Sequence, residues 1–236
     1  MPVQSRALVP RRHVRQPVRG FDGELLEDLD RSGHSDKLTR PVAVCVPPRR
    51  PDTLVMAWSG VMADIPTMTL LLDDFTDAPT DIAARWSVFS DRVMGGVSVA
   101  RAMLGEVDGR LALRLTGEVS LERNGGFVQM ARALGPPSGT PLDASEYAGV
   151  SLTVRGTPGS YVVHLCTTDC RAPWQYYSAP LPVSGEWHTC VVPWHVFEPV
   201  ALREPLDPSR LIRLGIVAAK VAFTADVAVS RVLLVP

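Results

Sequence analysis

From Leu70 to the end, the chain reads as short runs of alternating apolar and polar residues separated by turn residues. Leu111, Leu113 and Leu115 alternate with Ala112, Arg114 and Thr116, and Leu152 and Val154 with Ser151, Thr153 and Arg155. A period of two buries one face of a strand. Tyr161, Val163 and Leu165 repeat it, and further strand-like runs are Trp86 to Phe89, Val97 to Met103, Phe127 to Leu134, Trp174 to Ala179, Trp187 to Val192, Ile212 to Ala218 and Val227 to Val235. Their spacing approaches the roughly 8 to 12 residues typical of sandwiches and barrels. Gly and Pro punctuate them at Gly95-Gly96, Gly125-Gly126, Pro158-Gly159 and Ser184-Gly185, and Asp108-Gly109 is the strongest hairpin signal. No run is followed by a convincing helix of ten or more residues, which disfavours a parallel βαβ sheet. The pattern predicts an all-β fold over residues 69–236, an antiparallel β-sandwich of jelly-roll type.

Residues 1–68 differ in kind. The first fifty carry ten Lys or Arg against six Asp or Glu, are dotted with prolines such as Pro10, Pro17 and Pro41, and hold no sustained period of either 2 or 3.6. A segment that buries little apolar surface cannot offset its ordering entropy, so disorder is expected. Leu25, Leu26 and Leu29 stand at helical spacing, enough for a transient turn or a docking peptide. Because Met56, Met62 and Met68 precede the first strand-like run, the alternative expectation is an extension upstream of the native start.

Composition narrows the function classes. A chain of 236 residues with 46% hydrophobic residues can bury one substantial core. A formal net charge of -1 argues against a surface that neutralises many phosphates, so nucleic acid is not an expected partner. The most apolar stretch, Leu54 to Leu72, is broken by Asp64 and Pro66, and neither a membrane span nor a secretory signal is expected. Four cysteines, Cys45, Cys166, Cys170 and Cys190, are too few for a disulfide scaffold at this length. These features predict a cytoplasmic protein. His164, Cys166 and Cys170 lie close in sequence, but alternation puts the first two on one strand face with Cys170 in the following turn. With no second close-spaced ligand pair, no metal and no cofactor are expected.

Two segments stand apart from the alternation, Trp86 to Ser98 and Gly117 to Phe127, and hold the motifs Ser90-Asp91-Arg92-Val93-Met94-Gly95-Gly96-Val97-Ser98 and Ser120-Leu121-Glu122-Arg123-Asn124-Gly125-Gly126-Phe127. Each sets polar groups before a glycine pair and an apolar strand start. Glycine permits positive φ and close backbone approach, which lets Asp91, Arg92, Glu122 and Asn124 converge on one another or on a ligand. The candidate binding residues are therefore Asp91, Arg92, Gly95, Gly96, Ser98, Glu122, Asn124, Gly125 and Gly126. A purely structural role, with Asp91 and Arg92 capping amides and pairing with Glu122 or each other, fits the same residues.

The paired glycine motifs resemble the signature of the complex I intermediate-associated protein family. The similarity continues through Leu142 to Gly156, Gly185-Glu186-Trp187, Pro193 to Phe197 and Leu211 to Val235, nearly all of residues 69–236 in order. It implies a galactose-binding-like β-sandwich, a fold shared with carbohydrate-binding modules. For mitochondrial members it also implies a chaperone-like role in assembling respiratory complex I, the NADH:ubiquinone oxidoreductase. Two positions depart from the family pattern: Arg123 stands where Asn is usual, and the Arg-Gly-Asp-Gly turn is replaced by Arg155-Gly156-Thr157-Pro158-Gly159.

Catalysis is the weakest expectation. Asp91 and Glu122 are the two acids a glycosidase-like pair would use, but Arg92 and Arg123 adjoin them and favour ionised carboxylates, the wrong direction for a general acid. Ser90, Ser98 and Ser120 lack a strand-to-helix elbow, and neither glycine pair has nucleotide-loop spacing. The sequence therefore predicts a non-catalytic binding domain, a protein-binding assembly factor. The alternative is a glycan binder that uses Trp174, Tyr176 and Tyr177 as stacking platforms.

Overall fold

The alternating leucines of 111–115 become one strand of a two-layer sandwich. The computed structural model describes residues 44–46, 68–136 and 138–236. Its strands are β1 (Val44–Val46), β2 (Leu70–Asp73), β3 (Trp86–Ser90), β4 (Val99–Val107), β5 (Arg110–Val119), β6 (Phe127–Ala133), β7 (Gly149–Gly156), β8 (Tyr161–Thr167), β9 (Tyr176–Pro180), β10 (His188–Pro193), β11 (Glu198–Val200), β12 (Leu211–Ala219) and β13 (Phe223–Val235). The first sheet runs β1-β10-β7-β13-β5-β4, with β2 also paired to β13, and the second runs β11-β9-β8-β12-β6-β3. Every pairing is antiparallel. The all-β antiparallel sandwich expected from the sequence is the fold observed.

The core lies between the sheets. Leu113, Leu115, Leu152, Val154, Val227 and Val229 face it from one side, and Met130, Val163, Leu165, Tyr177, Leu214 and Ile216 from the other. Strand β13 buries Ala225, Val227 and Val229, then Val232 and Leu234. A bulge between Val229 and Arg231 in its pairing with β7 allows that change of parity. Asp108 (φ 43°) and Gly109 (φ 74°) close the two-residue hairpin between β4 and β5, with Val107 opposite Arg110.

A single short α-helix, α1 (Pro79–Arg85), interrupts the strands among the described residues. Pro79 pre-sets the first turn, Asp81 and Arg85 suit the two ends of the helix dipole, and buried Ile82 anchors it. Beneath it, buried Asp73 accepts from the Trp86 indole at 2.9 Å and the Phe75 amide at 3.1 Å, and pairs with Arg85 and Arg132 at 3.3 Å each. Strand β1 departs from the disorder expected of residues 1–68: three residues between Pro41 and Pro47 find their backbone partners on β10 and form the edge of the first sheet, with Cys45 opposite Cys190. Apart from Met68, the remainder of that span lies outside the described residues.

Candidate functional site

Strand register fixes where the glycine-pair loops lie. Ser90, ending β3, is opposite Val128 near the start of β6; Val99, starting β4, is opposite Glu118 near the end of β5; and Phe127 is opposite Ala219 at the end of β12. Residues 91–98 carry the chain from the second sheet to the first, and residues 120–126 carry it back. Both crossings lie at the same end of the sandwich, beside the turn from β12 to β13.

One carboxylate joins them. Asp91 opens a 3₁₀ turn (Asp91–Met94) and is fully buried. Its Oδ1 accepts the Ser98 amide at 2.9 Å, and its Oδ2 accepts the Ser98 hydroxyl at 2.5 Å, the Gly126 amide at 2.6 Å and the Phe127 amide at 3.4 Å. The Ser98 hydroxyl oxygen in turn accepts the Ser120 amide at 2.9 Å, and Ser90 Oγ donates to the Ser98 carbonyl at 2.9 Å. Burial alone would raise the pKa of Asp91, yet the Ser98 hydroxyl and the Gly126, Ser98 and Phe127 amides together hold it below the usual carboxylate range.

The glycines leave room for this carboxylate. A Cβ on Gly96 would stand 2.3 Å from Asp91 Oδ1, and one on Gly125 would stand 2.4 Å from Asp91 Oδ2. Gly95 instead supplies the left-handed cap of the turn, at φ 93°. Arg123 takes the same region at φ 55°, where Asn is far more at ease than Arg, a physical reason for the family's preference at this position.

The candidate residues thus divide. Asp91, Ser98, Gly96, Gly125 and Gly126 converge in a sealed latch, whereas Arg92, Gly95 and Glu122 stand exposed. Among the described residues, Asp91 makes no ion pair with Arg92, and its partners are amides and a hydroxyl. The backbone of Asn124 lies in the 3₁₀ turn Glu122–Asn124; its side chain lies outside the described residues. Sequence reasoning underrated Ser90 and Ser120, the second tier of the network. It also passed over the exposed apolar tips Val93 (71% exposed), Met94 (60%) and Leu121 (52%), whose signal was three apolar residues inside otherwise polar motifs. A buried carboxylate kept ionised is the reverse of a general acid, so the geometry lends nothing to an Asp91/Glu122 catalytic pair.

The aromatic platforms also separate. Tyr177 is fully buried in the core, while Trp174 is 57% exposed. Tyr176 stacks on His164, ring centroids 4.0 Å apart and planes at 19°. Burial, with Lys220 and Arg213 adding like charge, pushes the His164 pKa down to about 3, so this ring is neutral. Trp86, Trp187 and Trp194 spend their indole N–H groups on Asp73, the Val107 carbonyl and the Tyr147 carbonyl. Among the described residues no cluster of three or more His, Cys, Asp or Glu could hold a metal ion, and no helix is long and apolar enough to cross a membrane.

Residues 74–226 match the family model described as complex I intermediate-associated protein 30. Among solved structures, the fold is similar to a family 11 carbohydrate-binding module of a cellulosomal cellulase of Clostridium thermocellum, with a TM-score of 0.55 and 13% identity over 72% of this chain and 95% of that one. A Clostridium thermocellum family 11 module in complex with a β-1,3-1,4-mixed-linked tetrasaccharide gives a TM-score of 0.54 and 13% identity over 71% and 95%. At such identities the likeness shows the shared fold. A search of the curated proteins finds no match.

Proposed function

As the chain belongs to the complex I intermediate-associated protein 30 family, we propose that it acts without catalysis, as a protein-binding factor in the assembly of respiratory complex I. The observation that carries this reading is the Asp91 latch. It fixes two crossing loops at one end of the sandwich and leaves Val93, Met94 and Leu121 in solvent, beside Arg92, Glu122 and Arg123. Apolar tips among charges are the composition of a docking surface. Loops already held rigid lose less entropy when a partner seats on them.

Met94→Asp combined with Leu121→Asp changes only exposed side chains. The expected result, in affinity purification from the native organism, is recovery of NADH:ubiquinone oxidoreductase subunits with the unaltered chain and at least about a tenfold loss with the double variant, at unchanged thermal stability. Equal recovery by both chains contradicts the reading.

A second reading, glycan binding, draws on the half-buried Tyr176 and exposed Trp174 beside the outward face of the second sheet, on a fold shared with carbohydrate-binding modules. It is the weaker one, because His164 already covers one face of Tyr176 and Tyr177 turns inward. Copurification of a polysaccharide in place of a protein would favour it.

A further inference from the structure

At the end of the second sheet away from the crossing loops lies a groove of about 560 Å³, lined by Cys166, Cys170, Arg213, Arg171, Ser87 and Ala133 among others. Cys166 reaches it because β8 turns Val163 and Leu165 into the core and so turns His164 and Cys166 outward. Cys170 reaches it because the chain reverses at once. The Cys170 amide donates to the Thr167 carbonyl at 3.1 Å, the Asp169 amide donates to Thr167 Oγ1 at 3.2 Å, and Arg210 pins Asp169 at 3.1 Å. The turn brings Cys170 to the same groove as Cys166, and neither sulfur is in a disulfide. From β12, Arg213 Nη2 donates to Cys166 Sγ at 3.2 Å.

Two cysteines four positions apart lining one solvent-connected groove, one against a guanidinium, have the makings of a reversible redox pair. We propose that Cys166 and Cys170 form an intramolecular disulfide by exchange with a low-molecular-weight disulfide such as oxidised glutathione. Cys170, the less buried sulfur, attacks first as its thiolate, breaking the small molecule's S–S bond and releasing one thiol that takes up a proton. Cys166 then gives its proton to solvent and attacks the Cys170 sulfur of the mixed disulfide, releasing the second thiol. The two protein sulfurs lose two electrons and the small disulfide gains them. Arg213 stabilises the Cys166 thiolate in the second step, against the burial that otherwise favours its neutral form. In a reducing compartment such a bond is transient and reports the thiol poise.

The test is exposure of the reduced full-length chain to graded mixtures of reduced and oxidised glutathione, then acid quench, alkylation and mass mapping of the tryptic peptide Gly156–Arg171, which contains both cysteines. In the oxidising mixture the expected peptide is lighter by two hydrogens, carries no adduct, shows at least about a tenfold loss of alkylation, and returns to the alkylated form after dithiothreitol. Cys166→Ser should trap glutathione on Cys170. A chain whose two thiols stay alkylable, or one that accumulates a stable glutathione adduct on Cys170, overturns the proposal. The unaltered chain decides this by itself if the variant fails to fold.

Discussion

Asp91 is a charged side chain with no access to water, and its neighbours explain how the fold tolerates it. Four donors surround its oxygens, so the carboxylate exchanges water for a complete set of hydrogen bonds. Its pKa is depressed in the folded state, so the unfolded chain binds the proton more readily. The latch therefore adds its full stability above the ordinary carboxylate range and loses it as pH falls from about 4 through the lower folded value. Asp91→Asn should flatten that acid limb of a urea-midpoint profile, and a profile indistinguishable from that of the unaltered chain would show the carboxylate to be idle. The glycines offer a second check. Gly96→Ala drives a methyl into Asp91 and is expected to cost about 2–3 kcal/mol, whereas Gly95→Ala meets open space and costs about 1 kcal/mol from its positive φ alone. Equal midpoint shifts for the two variants would contradict the close packing at Gly96.

At the scale of elements, the period-two runs were legible because burial of one sheet face leaves its mark on every second residue. Leu111 to Leu115, Tyr161 to Leu165 and the Asp108-Gly109 hairpin lie where the pattern set them. Strands β1 and β11 span three residues each, too short for a period to register, and α1 spans seven, below the length at which helical spacing stands out. The glycine motifs marked the site, since two Gly pairs after polar residues are a local signal. Which polar groups would turn inward was not legible, because that depends on the sheet crossing rather than on the motif. His164 is a case of element-level chemistry. It sits on the outward face of β8, opposite Ser178 and Gly215, and is held neutral by burial first and by Lys220 and Arg213 after it. The unfolded chain protonates it below about 6.5 and the folded chain only near 3, so stability falls as pH drops through that window. His164→Gln should reduce the slope of unfolding midpoint against pH between about 6 and 4, while leaving the loss assigned to Asp91 at lower pH.

At the scale of the whole molecule, both candidate loops owe their meeting to strand order. Because β3 and β6 belong to one sheet and β4 and β5 to the other, the two crossings must bridge the same end, and the latch closes there. The groove holding Cys166 and Cys170 lies at the opposite end, so a change in its redox state need not disturb the latch. A binding role at the loop end predicts a directional partner: one end of the sandwich engaged, the edges free. The most direct test places a photo-crosslinking residue, one at a time, at Met94, at Leu121, and at Met103 on the exposed edge strand β4 (71% exposed), in the native cell. The expected result is a protein adduct from positions 94 and 121 and none from 103, and adducts of equal yield from all three positions, or from 103 alone, would contradict a partner seated on the latched loops.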